Sequence, residues 1–295
     1  MDIALDGPVL GIDIGGTKVA AGVIDLAGKV LCRGQVASDA PDAEALFGRV
    51  VKLARDMLAQ HGRPVVGCGV GSGGPSRQNH RLLSPLNIAV WRDFPLQDRL
   101  SEALQLEVAV NNDAKALALA EGWVGAAVGE DNYLAMVVST GIGGGIVLNG
   151  RLLDGADGNA GHIGHVFVTE GGRADAAGAV GLLEGQASGS ALADLLGDVA
   201  PADAPGEVRQ RVGTLVGRGV GSVANLLDLR LAVVGGSVAL GYGDDFFTAA
   251  QTEINRICRL LHSRGTRIIP SPLGPNGGII GAAAVSALSK LGGSR

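Results

Sequence analysis

The feature that most constrains this 295-residue chain is a glycine turn between two apolar runs, which occurs twice. Residues 9–26 read Val-Leu-Gly-Ile-Asp-Ile-Gly-Gly-Thr-Lys-Val-Ala-Ala-Gly-Val-Ile-Asp-Leu. Val9 to Ile14 and Val19 to Ile24 have strand length, and Gly15, Gly16 and Thr17 between them predict a β-hairpin. Glycines in such a turn let backbone N–H groups approach an anion with no Cβ in the way. An acid at the rim, Asp13, suits a phosphate site only with a divalent cation in between. The plain alternative is an ordinary hairpin with one surface acid.

Residues 134–152 repeat the pattern: Leu-Ala-Met-Val-Val-Ser-Thr-Gly-Ile-Gly-Gly-Gly-Ile-Val-Leu-Asn-Gly-Arg-Leu. A tight turn follows each copy, Leu26-Ala27-Gly28-Lys29-Val30 and Leu148-Asn149-Gly150-Arg151-Leu152. One copy per half predicts two lobes, whose hairpins would grip a polyphosphate from both sides. The length suits two lobes, and 46% hydrophobic against 18% charged residues supplies the core. Only 3% are aromatic while 49 residues are glycine, so close packing of small residues is expected.

Strands over residues 8–38, a helix from Asp42 (N-cap) to His61 stopped by Gly62, and a buried strand over Val65 to Val70 give mixed α/β order. Gly69-Val70-Gly71-Ser72-Gly73-Gly74 matches a dinucleotide fingerprint only formally, because Pro75 and a polar run follow where a helix should open. No Walker A sequence is present. Asn87 and Trp91 fall in a loop, and a short helix spans Pro95 to Leu104. A strand over Glu107 to Asn111 ends in Asn112-Asp113-Ala114, before an Ala-rich helix from Lys115 to Gly122. Polar groups at the carboxyl end of a buried strand point into the ligand crevice of α/β proteins. Asp113 is there either a proton acceptor or the cap of the next helix. His162 and His165 lie in a Gly-rich segment and suit hydrogen bonds better than a metal pair. Further helices are expected over Glu184 to Leu196 (starting as a loop), Glu207 to Leu229, Tyr242 to His262 and Gly278 to Lys290. Strands are expected over Leu231 to Val234 and Arg267 to Ile269, the latter at a sheet edge.

Three sparse cysteines, Cys32, Cys68 and Cys258, fit a reducing cytoplasm rather than a disulfide framework. A net charge of −5 without a basic cluster argues against nucleic acid as partner. No run suits a membrane span, and no basic leader precedes the first strand.

Five motifs in order resemble the ROK family (repressor, open reading frame, kinase). They are Asp13-Ile14-Gly15-Gly16-Thr17-Lys18, Asn112-Asp113-Ala114, Ser139-Thr140-Gly141-Ile142-Gly143-Gly144-Gly145, Gly158-Asn159-Ala160-Gly161-His162-Ile163-Gly164-His165 and Val234-Gly235-Gly236-Ser237-Val238. The resemblance implies the actin-like ATPase (ribonuclease H-like) fold, two α/β lobes each with a mixed sheet flanked by helices, and ATP-dependent sugar kinase activity. The lobes are expected as residues 1–114 and 115–277, with a C-terminal helix in 278–295 packing back on the first. Asp13, Gly15, Gly16, Thr17 and Lys18 match the first phosphate motif, Thr140, Gly141, Gly143 and Gly144 the second, and Gly235 and Gly236 the adenosine motif. Asp113 matches the catalytic base. Asn87, Asn112, Asp113, His162, His165 and Glu184 match groups at the sugar, and Mg²⁺ would sit near Asp13 through water.

Two departures stand out. Family kinases carry a Cys-x-Cys-Gly-x-x-Gly-Cys zinc motif soon after the second His, whereas this chain has Asp175-Ala176-Ala177-Gly178-Ala179-Val180-Gly181-Leu182. No zinc is therefore expected: His165 is left to bond sugar by itself, Leu182 to pack inward, and the loop Glu170 to Val180 to gain mobility. Many members also have Glu at His162, which bears on substrate identity. Repressor members begin with a helix-turn-helix, for which the few residues before the first strand leave no room. The implied reaction is glucose to glucose 6-phosphate, in a cytoplasmic homodimer. The alternatives are an N-acetylmannosamine or other hexosamine kinase, a non-catalytic sugar sensor, and an assembly ATPase of actin type.

Overall fold

The structure is a computed structural model that describes residues 6–78, 80–175 and 178–291. The chain begins β1 (Val9–Ile14), β2 (Lys18–Ile24), β3 (Val30–Ala37), α1 (Ala43–His61), β4 (Cys68–Ser72) and the short pair β5 (Ser76–Arg77) and β6 (Leu82–Leu83). It continues α2 (Leu96–Leu104), β7 (Val108–Asn112), α3 (Asp113–Val124), β8 (Tyr133–Val138), β9 (Ile142–Leu148) and β10 (Arg151–Leu152). Then follow α4 (Leu183–Ala187), α5 (Gly189–Leu196), α6 (Gly206–Leu227), β11 (Leu231–Gly235), α7 (Ser237–Ile257), β12 (Arg267–Pro270) and α8 (Gly277–Leu291).

Two compact units result. One comprises residues 1–129, 152–160 and 273–295, and the other residues 130–151 and 161–272. The division falls later than residue 114, and α3 lies wholly in the first unit, where it packs against α8. Close approach makes that packing possible: a Cβ on Gly281 of α8 would lie 2.6 Å from the Ala116 carbonyl oxygen of α3.

The first sheet runs β3-β2-β1-β4-β7 and the second β10-β9-β8-β11-β12. In each, a leading antiparallel hairpin (β1–β2, β8–β9) is extended by two parallel strands. The repeat thus specifies one topology twice.

Along β1 the side chains alternate with the strand period. Leu10, Ile12 and Ile14 enter the core built with α1, whose Leu46, Val50 and Ala54 are fully buried. Val9 joins the α8 side with Ile279 and Ala283. On that side Gly11 of β1 and Gly69 of β4 lie directly against the backbone oxygens of Ile279 and Ala282, where any side chain would collide. The abundance of small residues is therefore used to bring α8 onto the sheet. Asp13 follows Val9 and Gly11 on this face, and its carboxylate touches the site a Cβ of Gly278 would occupy.

Several boundaries differ from expectation. The strand expected over 65–70 is Cys68–Ser72; Val66 is exposed, and its N–H goes to the Pro8 carbonyl. Glu184 lies in a helix, because Ser188 breaks the segment and caps α5 through its hydroxyl, 3.2 Å from Ala191 N. The helix expected to start at Tyr242 starts at Ser237, directly after the glycine pair, and ends at Ile257 rather than His262. Gly243, at φ 52° and ψ −130°, kinks it and interrupts the helical pattern.

Candidate active site

In the first unit the parallel strands β1, β4 and β7 end side by side. Their register sets Asp13 beside Gly71 and Gly71 beside Asn111, then Ile14 beside Ser72 and Ser72 beside Asn112. Asn112 and Asp113 thus come to the carboxyl edge of the sheet, next to the hairpin that carries Asp13. Gly71 leaves the space between, since a Cβ there would be 3.5 Å from Asp113 Cα. The cap of α3 is Asn112, not Asp113: its Oδ1 accepts from Ala114 N (3.1 Å) and Lys115 N (3.3 Å). Asp113 is the first helical residue, and one of its oxygens, Oδ1, accepts from Ala114 N at 2.8 Å.

Burial first, and the charge of Asp113 second, raise the Asp13 carboxyl to about 6, against the opposing pull of Lys18 and Arg33. Two carboxylates that resist ionising together, with oxygen donors only, are the electrostatic setting a hard divalent cation relieves.

The turn of the first hairpin is closed by Gly15 N donating to Lys18 O at 3.0 Å, with Gly16, Thr17 and Lys18 exposed. A Cβ on Gly16 would lie 2.6 Å from Asn87 Cβ, so the hairpin meets the loop of Asn87 directly. That loop is fixed from below by Trp91, fully buried and stacked on Phe94 at 4.7 Å. Arg92, which the motif reading passed over, organises its backbone: Nη1 donates to the carbonyls of Pro85 (3.1 Å), Ile88 (2.9 Å) and Trp91 (2.6 Å). The Arg-to-carbonyl pattern is local, but nothing in sequence marks an arginine as donating to backbone.

In the second unit the turn is Ser139–Gly141, closed by Ser139 N donating to Gly141 O at 3.0 Å. Thr140 and Gly141 lie in it, whereas Gly143 and Gly144 lie within β9, opposite Val137 and Met136. Gly144 is buried and faces Ile163, where a Cβ would be 2.9 Å from the Ile163 side chain. The start of α5 holds the turn: Gly189 N donates to Ser139 O (2.7 Å) and Ser190 N to Thr140 O (3.1 Å). Ser139 Oγ lies 3.0 Å from Ser237 Oγ, which brings the turn beside Gly235 and Gly236 at the start of α7. The two segments of this unit that match the family's second phosphate and adenosine motifs are therefore adjacent, at the N-terminus of α7, where backbone N–H groups favour an anion.

Glu184 is braced to the hairpin, with Oε2 accepting from Ile142 N at 2.8 Å. His162 precedes a 3-10 turn, Ile163–His165, and the two imidazoles meet edge to face at 5.6 Å. His165 does not stand by itself. Its Nε2 lies 3.2 Å from Oδ2 of Asp175, a buried residue whose Oδ1 accepts from Ala179 N at 2.9 Å. The Asp175 carboxylate, where the family motif has a cysteine, thus lies within ion-pair distance of His165 and is tied to its own loop through Ala179 N. Leu182 is half-buried at the start of α4, and Ala177 lies outside the described residues. Among the described residues no group of three His, Cys, Asp or Glu could hold a metal ion.

Two α/β units on mixed five-stranded sheets of one strand order, each opened by a Gly-rich hairpin, define the actin-like ATPase fold of the sugar kinases. The model of the ROK family matches residues 9–288. A glucokinase of Halalkalibacterium halodurans is 38% identical over 190 residues, 62% of this chain; the chain spans 57% of that relative's length. An N-acetylmannosamine kinase of Yersinia pseudotuberculosis is 34% identical over 86% of this chain and 91% of its own. The structure of a ROK family glucokinase from Streptomyces griseus, in complex with glucose and AMPPNP, superposes with a TM-score of 0.80 at 29% identity, covering 94% of this chain and 98% of that one. The chain belongs to the ROK family.

Proposed function

We propose that this protein transfers the γ-phosphoryl group of ATP to a hexose hydroxyl, glucose to glucose 6-phosphate. The observation that carries the reading is that Asp13 and Asn112–Asp113 come to the same edge of the sheet, on β1 and at the end of β7 with β4 between them, beside the Gly15–Gly16 turn. Asp113 takes the proton from the attacking hydroxyl as the new O–P bond forms and the bond from Pγ to the bridging oxygen breaks, with ADP leaving. Asn87 and Asn112 hold sugar hydroxyls in the first unit. Asn112 does so through its Nδ2, because Oδ1 is engaged by α3. His162, His165 and Glu184 are the groups for sugar in the second.

Gly15 to Lys18 offer backbone N–H groups to phosphate in the first unit. Thr140 and Gly141 do so in the second, and Gly235 and Gly236 give the adenosine room. The raised pKa of Asp13 fits a Mg²⁺ site, held through water by Asp13. When bound, Mg²⁺ supplies positive charge to the phosphate oxygens.

A second reading, an N-acetylmannosamine kinase, is favoured by His162 where many family members have Glu, and by the Yersinia relative. The intact acids disfavour a pure sensor. A net charge of −5 and three free, buried cysteines fit a cytoplasmic protein acting on small molecules rather than on nucleic acid, and the homodimer expected from the family resemblance is part of the same proposal. No helix among the described residues is long and apolar enough to cross a membrane. ADP release measured across a panel of sugars tests all three readings: highest kcat/KM on glucose supports the first, on N-acetylmannosamine the second, and none above background the sensor.

A further inference from the structure

We propose that Lys115 is a positioning residue for sugar binding: its ammonium ties the 154–159 segment to the helix that begins with Asp113. The inference rests on the assignment of Asn87 and Asn112 to the sugar.

Lys115 sits in the first turn of α3, two residues after Asp113, and is only 1% exposed. Lysines are almost never buried so fully unless paired. Its Nζ donates to Asp154 Oδ1 at 2.6 Å and to the Gly158 carbonyl at 3.0 Å. The partner carboxylate is 61% exposed, so the cation has given up far more hydration than the anion. A pair so unequal is a poor source of stability, and what it supplies is a fixed position for the loop. Ala160 N donates to Asp154 O at 3.0 Å, which closes that loop on itself.

The loop in turn rests on Ser76 of β5 and on His80. Gly158 has φ +81°, and a Cβ on it would lie 2.6 Å from His80 Nε2, so the imidazole packs on bare backbone. His80 Nδ1 is 2.7 Å from Ser76 Oγ, and Asn159 Nδ2 donates to Ser76 O at 3.4 Å. Burial first, and the Lys115 charge second, push His80 down to about 4, which keeps it neutral in ordinary buffers. One ammonium thus joins α3 to the 154–159 segment, which itself packs on His80 and bonds Ser76. This cluster adjoins Asn112: a Cβ on Gly74, two residues before Ser76, would be 3.8 Å from Asn112 Nδ2. It shares no residue with the phosphate turn at Gly15–Lys18. Cutting the tie should therefore displace sugar-holding groups and spare ATP binding.

Lys115→Met keeps the length of the side chain and removes the charge. The expected result is a KM for sugar raised about tenfold or more, as small misplacements in a site produce, with the KM for ATP within about twofold of wild type. Asp154→Asn should move sugar KM the same way, and the double variant should fall short of the product of the two single effects. KM does not depend on the fraction of protein that is folded, so a purely structural role would lower yield and leave KM unmoved. Asp154→Asn carries the test if Lys115→Met does not fold. Asn87→Ala, measured alongside, reports on the sugar assignment itself. Sugar KM unchanged in the Lys115 and Asp154 variants but raised in Asn87→Ala overturns the proposal alone. Sugar KM unchanged in all of them overturns the assignment and the proposal with it.

Discussion

The two units share a strand order but not an electrostatic character. In the first sheet Asp13 occupies the next-to-last pairing position of β1, opposite Ala20 and Gly71. In the second sheet the equivalent position of β8 is Val137, opposite Gly143 and Gly235. The outer parallel strand of the first sheet runs into Asn112–Asp113, whereas that of the second ends at Pro270 and Ser271. Both acids suited to phosphoryl transfer therefore lie in one copy of the repeat. The other copy has apolar or neutral residues there, and places a glycine pair at the start of a long helix instead. The turns differ as well. The first meets its neighbour Asn87 by contact and takes one hydrogen bond from outside the hairpin, Ser38 N to Thr17 O at 3.2 Å, while the second takes two from the start of α5 and one through Glu184. The hairpin is duplicated, but the acids beside it are not, and under the proposed function this is what assigns base and cation site to the first unit.

The asymmetry is tested most severely at Asp113. Asp113→Asn should lower kcat by about 10²-fold or more, the usual contribution of a general base, with sugar affinity close to wild type by calorimetry. Near-normal turnover would reduce Asp113 to a helix-start residue and remove the difference between the units.

The next effect in size is on stability. Glu184→Ala leaves Ile142 N–H without its acceptor and should cost about 1–3 kcal/mol in denaturant unfolding. Asn87→Ala, at an exposed residue that meets the first turn by contact, should stay within about 0.5 kcal/mol. Equal losses would show that the two turns are supported alike.

A smaller effect follows from Asp13. Its folded pKa, about 6, lies above the ordinary 3.8, so the folded state holds this proton more tightly than the unfolded chain does. Its contribution to stability is full below about 3.8 and is lost as pH rises through about 6. Asp13→Asn should flatten that part of the stability–pH curve. Mg²⁺-dependent activity should run the other way, falling as pH drops below about 6. A wild-type curve already flat between these values would place Asp13 in water rather than against Asp113.

The two hairpins, α1 with its Asp42 cap and the mixed α/β order were legible because they rest on local periodicity and turn chemistry. Side-chain pairings across long sequence separations were not. Lys115 and Asp154 are 39 residues apart, and a lysine in an Ala-rich helix reads as a solvated face. The approach of Asp175 to His165 is not legible in the sequence, because it depends on how an irregular loop folds back. Gly144, matched to the second phosphate motif, also packs against Ile163 from within β9, a contact that no local pattern announces. Residues 237–242 precede the kink at Gly243 and are too short a stretch to show a helical period of their own, so the start of α7 is not legible in the sequence.

The Asp175–His165 contact leads to the smallest expected effect, which is none. Activity should survive a chelator once Mg²⁺ is restored, and elemental analysis of untagged protein should find zinc well below stoichiometric. Stoichiometric zinc lost together with activity would reverse that reading.

The contrast between the two turns comes down to one matched measurement, the addition of a single methyl group beside each. Gly16→Ala presses on Asn87, its Cβ 2.6 Å from the Asn87 Cβ, and Gly189→Ala presses on the second turn, its Cβ 2.9 Å from Ser139 O. Initial rates with both substrates varied should show KM raised for sugar and ATP in Gly16→Ala, and for ATP only in Gly189→Ala. An unchanged sugar KM in Gly16→Ala, or the same pattern in both variants, would contradict a first hairpin in working contact with the sugar loop.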